Sequence, residues 1–128
     1  MPAHCSGVGK VLLASSEWDR VAALFKDQGM PALTPNTITT LDLLDEELRR
    51  VRAQGYAFDD EETSVGLCCV AAPIRDPAGK TIAAVSISAP AYRFHTKKKD
   101  YTDAVLDTAR RISESARPKP KEFPDYAM

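Results

Sequence analysis

Apolar positions recur along this chain at two spacings, and each spacing predicts a kind of element. Between residues 41 and 54, Leu41, Leu44, Leu48 and Val51 recur three, four and three apart, which makes one stripe of a helix. Thr39 or Thr40 is the expected N-cap, and Gly55 the expected stop. Asp45, Glu46 and Glu47 precede Arg49, Arg50 and Arg52, the order that a helix dipole favours. Trp18, Val21, Ala22 and Phe25 mark a second helix, with Ser16 as its cap and Asp19 three residues on. Gly29, Pro31 and Pro35 break that pattern. Tyr101, Val105, Ala109 and Ile112 mark a third helix over Lys97–Ser115. A shorter one is expected at Cys5–Ala14, entered through small residues with Ser6 as N-cap.

The other spacing is two. Tyr56–Phe58 reads as a strand. Gly66–Ile74 and Thr81–Ser88 read as two more, joined by the turn-forming run Arg75-Asp76-Pro77-Ala78-Gly79-Lys80. A short turn between two strands makes them antiparallel, and Pro90 ends the sheet. The architecture expected is α/β (α+β): an antiparallel sheet with helices packed against it. No internal repeat is present. The segment 117–128 is rich in proline and polar residues, and is expected to be a flexible tail behind a domain at 1–116.

Composition narrows the function classes. With 128 residues the chain suits one domain, and 44% hydrophobic with 27% charged residues is ordinary for a globular protein. The net charge is −1, and only Lys97-Lys98-Lys99 concentrates positive charge, as the solvated start of a helix. No apolar run approaches a membrane span, and no signal peptide is evident, so a cytoplasmic location is expected. Three cysteines fit a reducing compartment. Cys68 and Cys69 are strand neighbours that point to opposite faces, so a disulfide framework is not expected.

Candidate chemistry is scattered. Ser86 and Ser88 share one strand face, and two hydroxyls on a small-residue strand suggest a polar ligand if that face is buried. Ser6-Gly7-Val8-Gly9-Lys10 offers helix N-terminal amides to an anion, although the glycines could serve packing alone. It is not a P-loop, because Val11 follows Lys10 and the first glycine is missing. In the acidic run Asp59–Glu62, three carboxylates fit a solvated loop. Asp59 continues the strand and is placed to turn inward. His4-Cys5 with Cys68-Cys69 lacks the spacing of a structural zinc site, so no metal ligand is assigned. A cysteine nucleophile with His4 or His95 as base is conceivable, but a free cysteine is more often a small buried hydrophobe. No nucleophile–base–orienter set emerges, so no catalytic residue and no cofactor are assigned.

Several of these segments together resemble the effector-binding domain of the IclR family of bacterial transcriptional regulators. The likeness runs in order over about residues 3 to 115. His4-Cys5-Ser6-Gly7-Val8-Gly9-Lys10-Val11-Leu12-Leu13-Ala14 is similar to the family's opening H-x-[ST]-A-x-G-K-A-x-L-A. Leu48 through Asp59, Glu61-Glu62, Gly66, Cys69 through Ile74 and Val85 through Pro90 continue it. The resemblance implies a GAF-like fold that binds a small effector, often an organic acid, and modulates homodimer or homotetramer assembly and DNA affinity. It implies ligand-binding positions at Gly7, Val8, Asp59, Cys69, Ser86 and Ser88. Met1 stands almost against the opening motif, where the family carries a helix-turn-helix domain and the first strands of the sheet. The expectation is a fragment or truncated product, or a sheet completed by another chain, with DNA bound only through a helix-turn-helix domain not in this chain. Two other readings stay open: a GAF-fold redox enzyme using cysteines, similar to methionine sulfoxide reductases, and a dimerisation module without ligand.

Overall fold

A computed structural model describes residues 2–115, and the expected tail at 117–128 lies outside them. The elements run α1 (Gly7–Ala14), α2 (Trp18–Gln28), α3 (Leu41–Gln54), β1 (Ala57–Asp60), β2 (Leu67–Arg75), β3 (Thr81–Pro90), α4 (Ala91–Thr96) and α5 (Lys98–Ser115). The three strands form one antiparallel sheet in the order β1-β2-β3. The α+β architecture expected from the pattern is the one observed.

Period-two alternation sends each strand's side chains to two layers. On one face Ala57 and Ala71 join Val11, Leu13, Val21, Phe25, Leu44, Leu48 and Val51 in a core under α1, α2 and α3. On the other, Cys68, Val70, Ala72 and Ala89 pack with Phe94 of α4 and Val105 and Ala109 of α5. The register pairs Asp59 with Cys69 and Asp60 with Cys68 across β1–β2. It pairs Cys69 with Ser88 and Ala71 with Ser86 across β2–β3. The neighbouring cysteines therefore serve opposite layers, and all three cysteines are free thiols.

Local signals account for most boundaries. The Ser6 hydroxyl accepts from Gly9 N–H at 3.0 Å and caps α1. Thr40 caps α3 by accepting from Leu43 N–H at 3.3 Å. Gly55 ends α3 at φ 86°, a left-handed conformation that suits glycine. Asp76 Oδ1 accepts from Ala78 and Lys80 N–H and shapes the β2–β3 turn.

Other expectations need correcting. Ser16 does not cap α2. Glu17 holds that position without a side-chain bond, and the Ser16 hydroxyl donates back to Leu12 C=O. Pro90 ends the sheet by opening a separate short helix, α4, because Ala91 N–H donates to Gly66 C=O at 2.8 Å and the chain turns back over the sheet. Ile112 stands 37% exposed rather than facing inward. Glu62 is buried, not solvated, because Lys10 stands against it. Ser86 and Ser88 are exposed on β3, an edge strand of the sheet. Burial cost is therefore not an argument for a ligand there.

Candidate functional site

The six residues singled out from the sequence lie on the α1 side of the sheet. Their centre is the Cys69 sulfur. Gly7 opens α1 directly over it: a Cβ built on Gly7 would stand 3.1 Å from Cys69 Sγ and 3.2 Å from the Ala71 methyl. The absence of a side chain is what lets the helix start approach the strand this closely. Ser88 pairs with Cys69 and Ser86 with Ala71 across β2–β3, so both serines share this face of the sheet with the sulfur.

The N-terminus of α1 offers donors at this point. Ser6 N–H is taken by Pro2 C=O and Gly9 N–H by the Ser6 hydroxyl. The first N–H groups of a helix have no acceptor within it, so those of Gly7 and Val8 find no partner inside α1. Val8 itself is half-buried, and its side chain packs on the core beneath α1.

Asp59, at the end of β1, is the inward carboxylate of the acidic run and is buried. It also builds the loop that follows. Its Oδ1 accepts from Glu62 N–H at 2.8 Å and Thr63 N–H at 3.3 Å, and its Oδ2 accepts from the Thr63 hydroxyl at 2.7 Å. One wall of the site is therefore negative, held in place by backbone donors, while the α1 end is a donor surface.

Cys69 feels both. Burial pushes its thiol above the ordinary value and the Asp59 charge adds to that, against the pull of the Ser88 and Ser86 hydroxyls and the Gly7 amide. Burial likewise raises Cys5, and raises Cys68 to about 11 with the Asp60 carboxylate beside it. All three thiols are thus held protonated at neutral pH, unlike a nucleophilic thiolate. His4 does not serve as a base here. Its Nε2 lies 3.0 Å from Pro31 C=O, and its ring stands edge-on to Phe25.

Sequence reasoning missed the lysine beneath the site. Lys10 is fully buried, and its ammonium lies 2.7 Å from Glu47 Oε2, 2.6 Å from Glu62 Oε1 and 2.9 Å from Phe58 C=O. Burial raises Glu62 above the ordinary carboxylate range, and Lys10 opposes that. This triad pins α1 to α3 and to the loop after β1 that carries Glu62. Only the lysine's place as the fourth residue of a helix of otherwise small and apolar residues could have signalled it. A cavity of about 50 Å³ between α1, α3 and the turn end of the hairpin, lined by Val11, Val51, Arg52 and Pro73, shares none of the six residues.

Comparison with known proteins gives this arrangement its context. The family described as bacterial transcriptional regulator IclR, C-terminal, matches residues 1–114. The chain is 40% identical over 121 residues to the HTH-type transcriptional repressor AllR of Salmonella typhi, which covers 94% of this chain and 44% of AllR. It thus spans less than half the length of that relative. Among solved structures, the C-terminal domain of the Escherichia coli regulator KdgR superposes with a TM-score of 0.80 at 38% identity, over 88% of this chain and 70% of that one. The inducer-binding domain of an Acinetobacter PobR double mutant, in complex with 3-hydroxybenzoic acid, superposes with a TM-score of 0.82 at 29% identity, over 88% and 66%. A family match over nearly the whole described chain, with relatives and folds that agree, shows that this chain belongs to the IclR family of bacterial transcriptional regulators and corresponds to their C-terminal domain.

Proposed function

We propose that this domain senses a small organic acid, bound where the α1 N-terminus meets Cys69, Ser86 and Ser88, with Asp59 as the opposing wall. The observation that carries the reading is that convergence of an amide, a thiol and two hydroxyls on one spot. Such a donor surface holds a carboxylate without a fixed cation, because oriented dipoles and a helix N-terminus suffice. Asp59 selects the other end of the ligand: it accepts a hydroxyl proton and repels a second carboxylate. The exposed serines leave the site open toward the β3 edge. PobR, with a hydroxylated aromatic acid in a domain of the same fold, supports a ligand of this type.

In the full-length regulator, occupancy biases homodimer or homotetramer assembly and thereby DNA binding through a helix-turn-helix domain, in the cytoplasm. The AllR relative is named for such a domain and for repression. The site acts by binding and not by catalysis, since its one thiol is held protonated. In the described residues no helix is long and apolar enough to cross a membrane.

Thermal melting against a panel of small organic acids tests this. An acid at a hundred times its dissociation constant should stabilise the domain by ~2.7 kcal/mol. Ser86→Ala and Ser88→Ala alter exposed side chains, so they should keep the unliganded melting temperature and lose the ligand's shift. An acid whose shift survives both substitutions binds elsewhere, and the assignment then fails.

A further inference from the structure

We propose a second site, on the opposite face of the sheet: Asp60, Cys68 and His95 form three ligands of a borderline divalent cation, zinc foremost. The fold, not the spacing, brings them together. Asp60 and Cys68 are cross-strand partners on β1 and β2, so their side chains stand side by side. His95 comes from α4, which the Ala91–Gly66 bond folds back over that corner. Cys68 Sγ lies 3.4 Å from Asp60 Oδ1, and His95 Nε2 lies 3.7 Å from the same oxygen. One ligand atom from each residue falls within 4.8 Å of the others.

Those separations are the edges of a metal site. Zinc bonds of roughly 2.0 Å to nitrogen and oxygen and 2.3 Å to sulfur put tetrahedral ligand atoms ~3.3–3.6 Å apart. Two edges are already near that length. The third closes by small rotations of Asp60 and His95, whose side chains are 60% and 52% exposed, toward the buried Cys68. Thiolate, imidazole and carboxylate together favour zinc over magnesium or calcium.

The support is ordered. Glu62 Oε2 accepts from Asp60 N–H and Asn36 Nδ2 donates to Asp60 C=O, which fixes the backbone of that ligand. Phe94, beside His95, is buried against Phe58 and Tyr101 and anchors α4. On binding, the Cys68 S–H proton passes to solvent as the sulfur–metal bond forms, and the ion ties the β1–β2 corner to α4. Of the two histidines in the chain, His4 is engaged by Pro31 C=O, so His95 is the imidazole open to a metal.

Cobalt(II) added to the reduced, chelator-treated chain is the probe. The expected result is a thiolate-to-cobalt charge-transfer band and tetrahedral d–d bands that saturate at one equivalent and are abolished by excess zinc. His95→Ala, at an exposed position, should keep the fold by circular dichroism and weaken binding by more than about tenfold. Cys68→Ser should remove the charge-transfer band, while Cys5→Ser and Cys69→Ser keep it. No band in the wild-type chain, or a band that survives His95→Ala with unchanged affinity, overturns the site. Neither outcome bears on organic-acid binding at the α1 face.

Discussion

At the scale of single residues, the charge on Lys10 decides the most. An ammonium without exposure is costly unless it is paired, and here two carboxylates and a carbonyl share it. Removing it leaves Glu47 and Glu62 facing each other around an empty centre. Lys10→Met is expected to lose ~3–5 kcal/mol of stability in urea denaturation at neutral pH. The pH sign follows from Glu62, whose folded pKa burial already raises and which would lose the cation that opposes that rise. A carboxyl raised in the folded state adds stability below its unfolded pKa and loses it as pH rises through the folded one. The deficit of Lys10→Met should therefore shrink as pH is lowered toward 4.5, and adding Glu62→Gln should recover part of it at neutral pH. A deficit that does not depend on pH would mean that lost packing, not lost charge, is the cause.

At the scale of elements, α1 carries the site, and its seat depends on two close approaches. Gly7 meets β2, and Gly9 meets the turn before the helix. A Cβ on Gly9 would lie 2.5 Å from Ala3 Cα and 2.6 Å from Ala3 O, both backbone atoms that cannot swing aside. Helix propensity alone would favour alanine there by up to about 1 kcal/mol. Overpacking costs about 1–3 kcal/mol and is harsher against backbone, so sterics should win. Gly9→Ala is expected to lower the melting temperature. It should also weaken organic-acid binding, because the residue 2–6 turn that it displaces includes the Ser6 cap. A variant as stable as the parent, with unchanged ligand affinity, would show that α1 is not seated this way.

At the scale of the whole molecule, one central strand feeds two independent layers. Alternate residues of β2 supply Cys69 and Ala71 to the α1 face and Cys68, Val70 and Ala72 to the α5 face. A slip of one residue would exchange the two chemistries, so the buried cores on both sides fix the register. Both faces bury thiols, which couples stability to alkaline pH. Cys68 rises from 9.0 to about 11, and Cys5 and Cys69 rise too, each chiefly through burial. The folded state thus holds these protons more tightly than the unfolded chain, and stability is lost as pH climbs from about 9 to 11. The stability advantage of the wild-type chain over Cys68→Ala, followed by melting across that window, should diminish with rising pH. A constant difference would mean that the Cys68 thiol is not shielded as described.

Sequence by itself determined most elements and their facing, with the short helix α4 and the exposed Ile112 as the exceptions. The α3 stripe, the Ser6 and Thr40 caps, the Gly55 stop, the hairpin and the opposed cysteines are all local patterns, written within a turn or a strand of the residues concerned. Asp59 was legible for the same reason, as the direct continuation of a strand. Only the tertiary structure decided which groups meet. It buried Lys10 between Glu47 and Glu62 on other elements, left Ser86 and Ser88 on an open edge, and carried His95 back beside Asp60 and Cys68. Periodicity states which side of an element is apolar. The partner of a charge, and the solvent that a side chain keeps, depend on which distant elements pack against it.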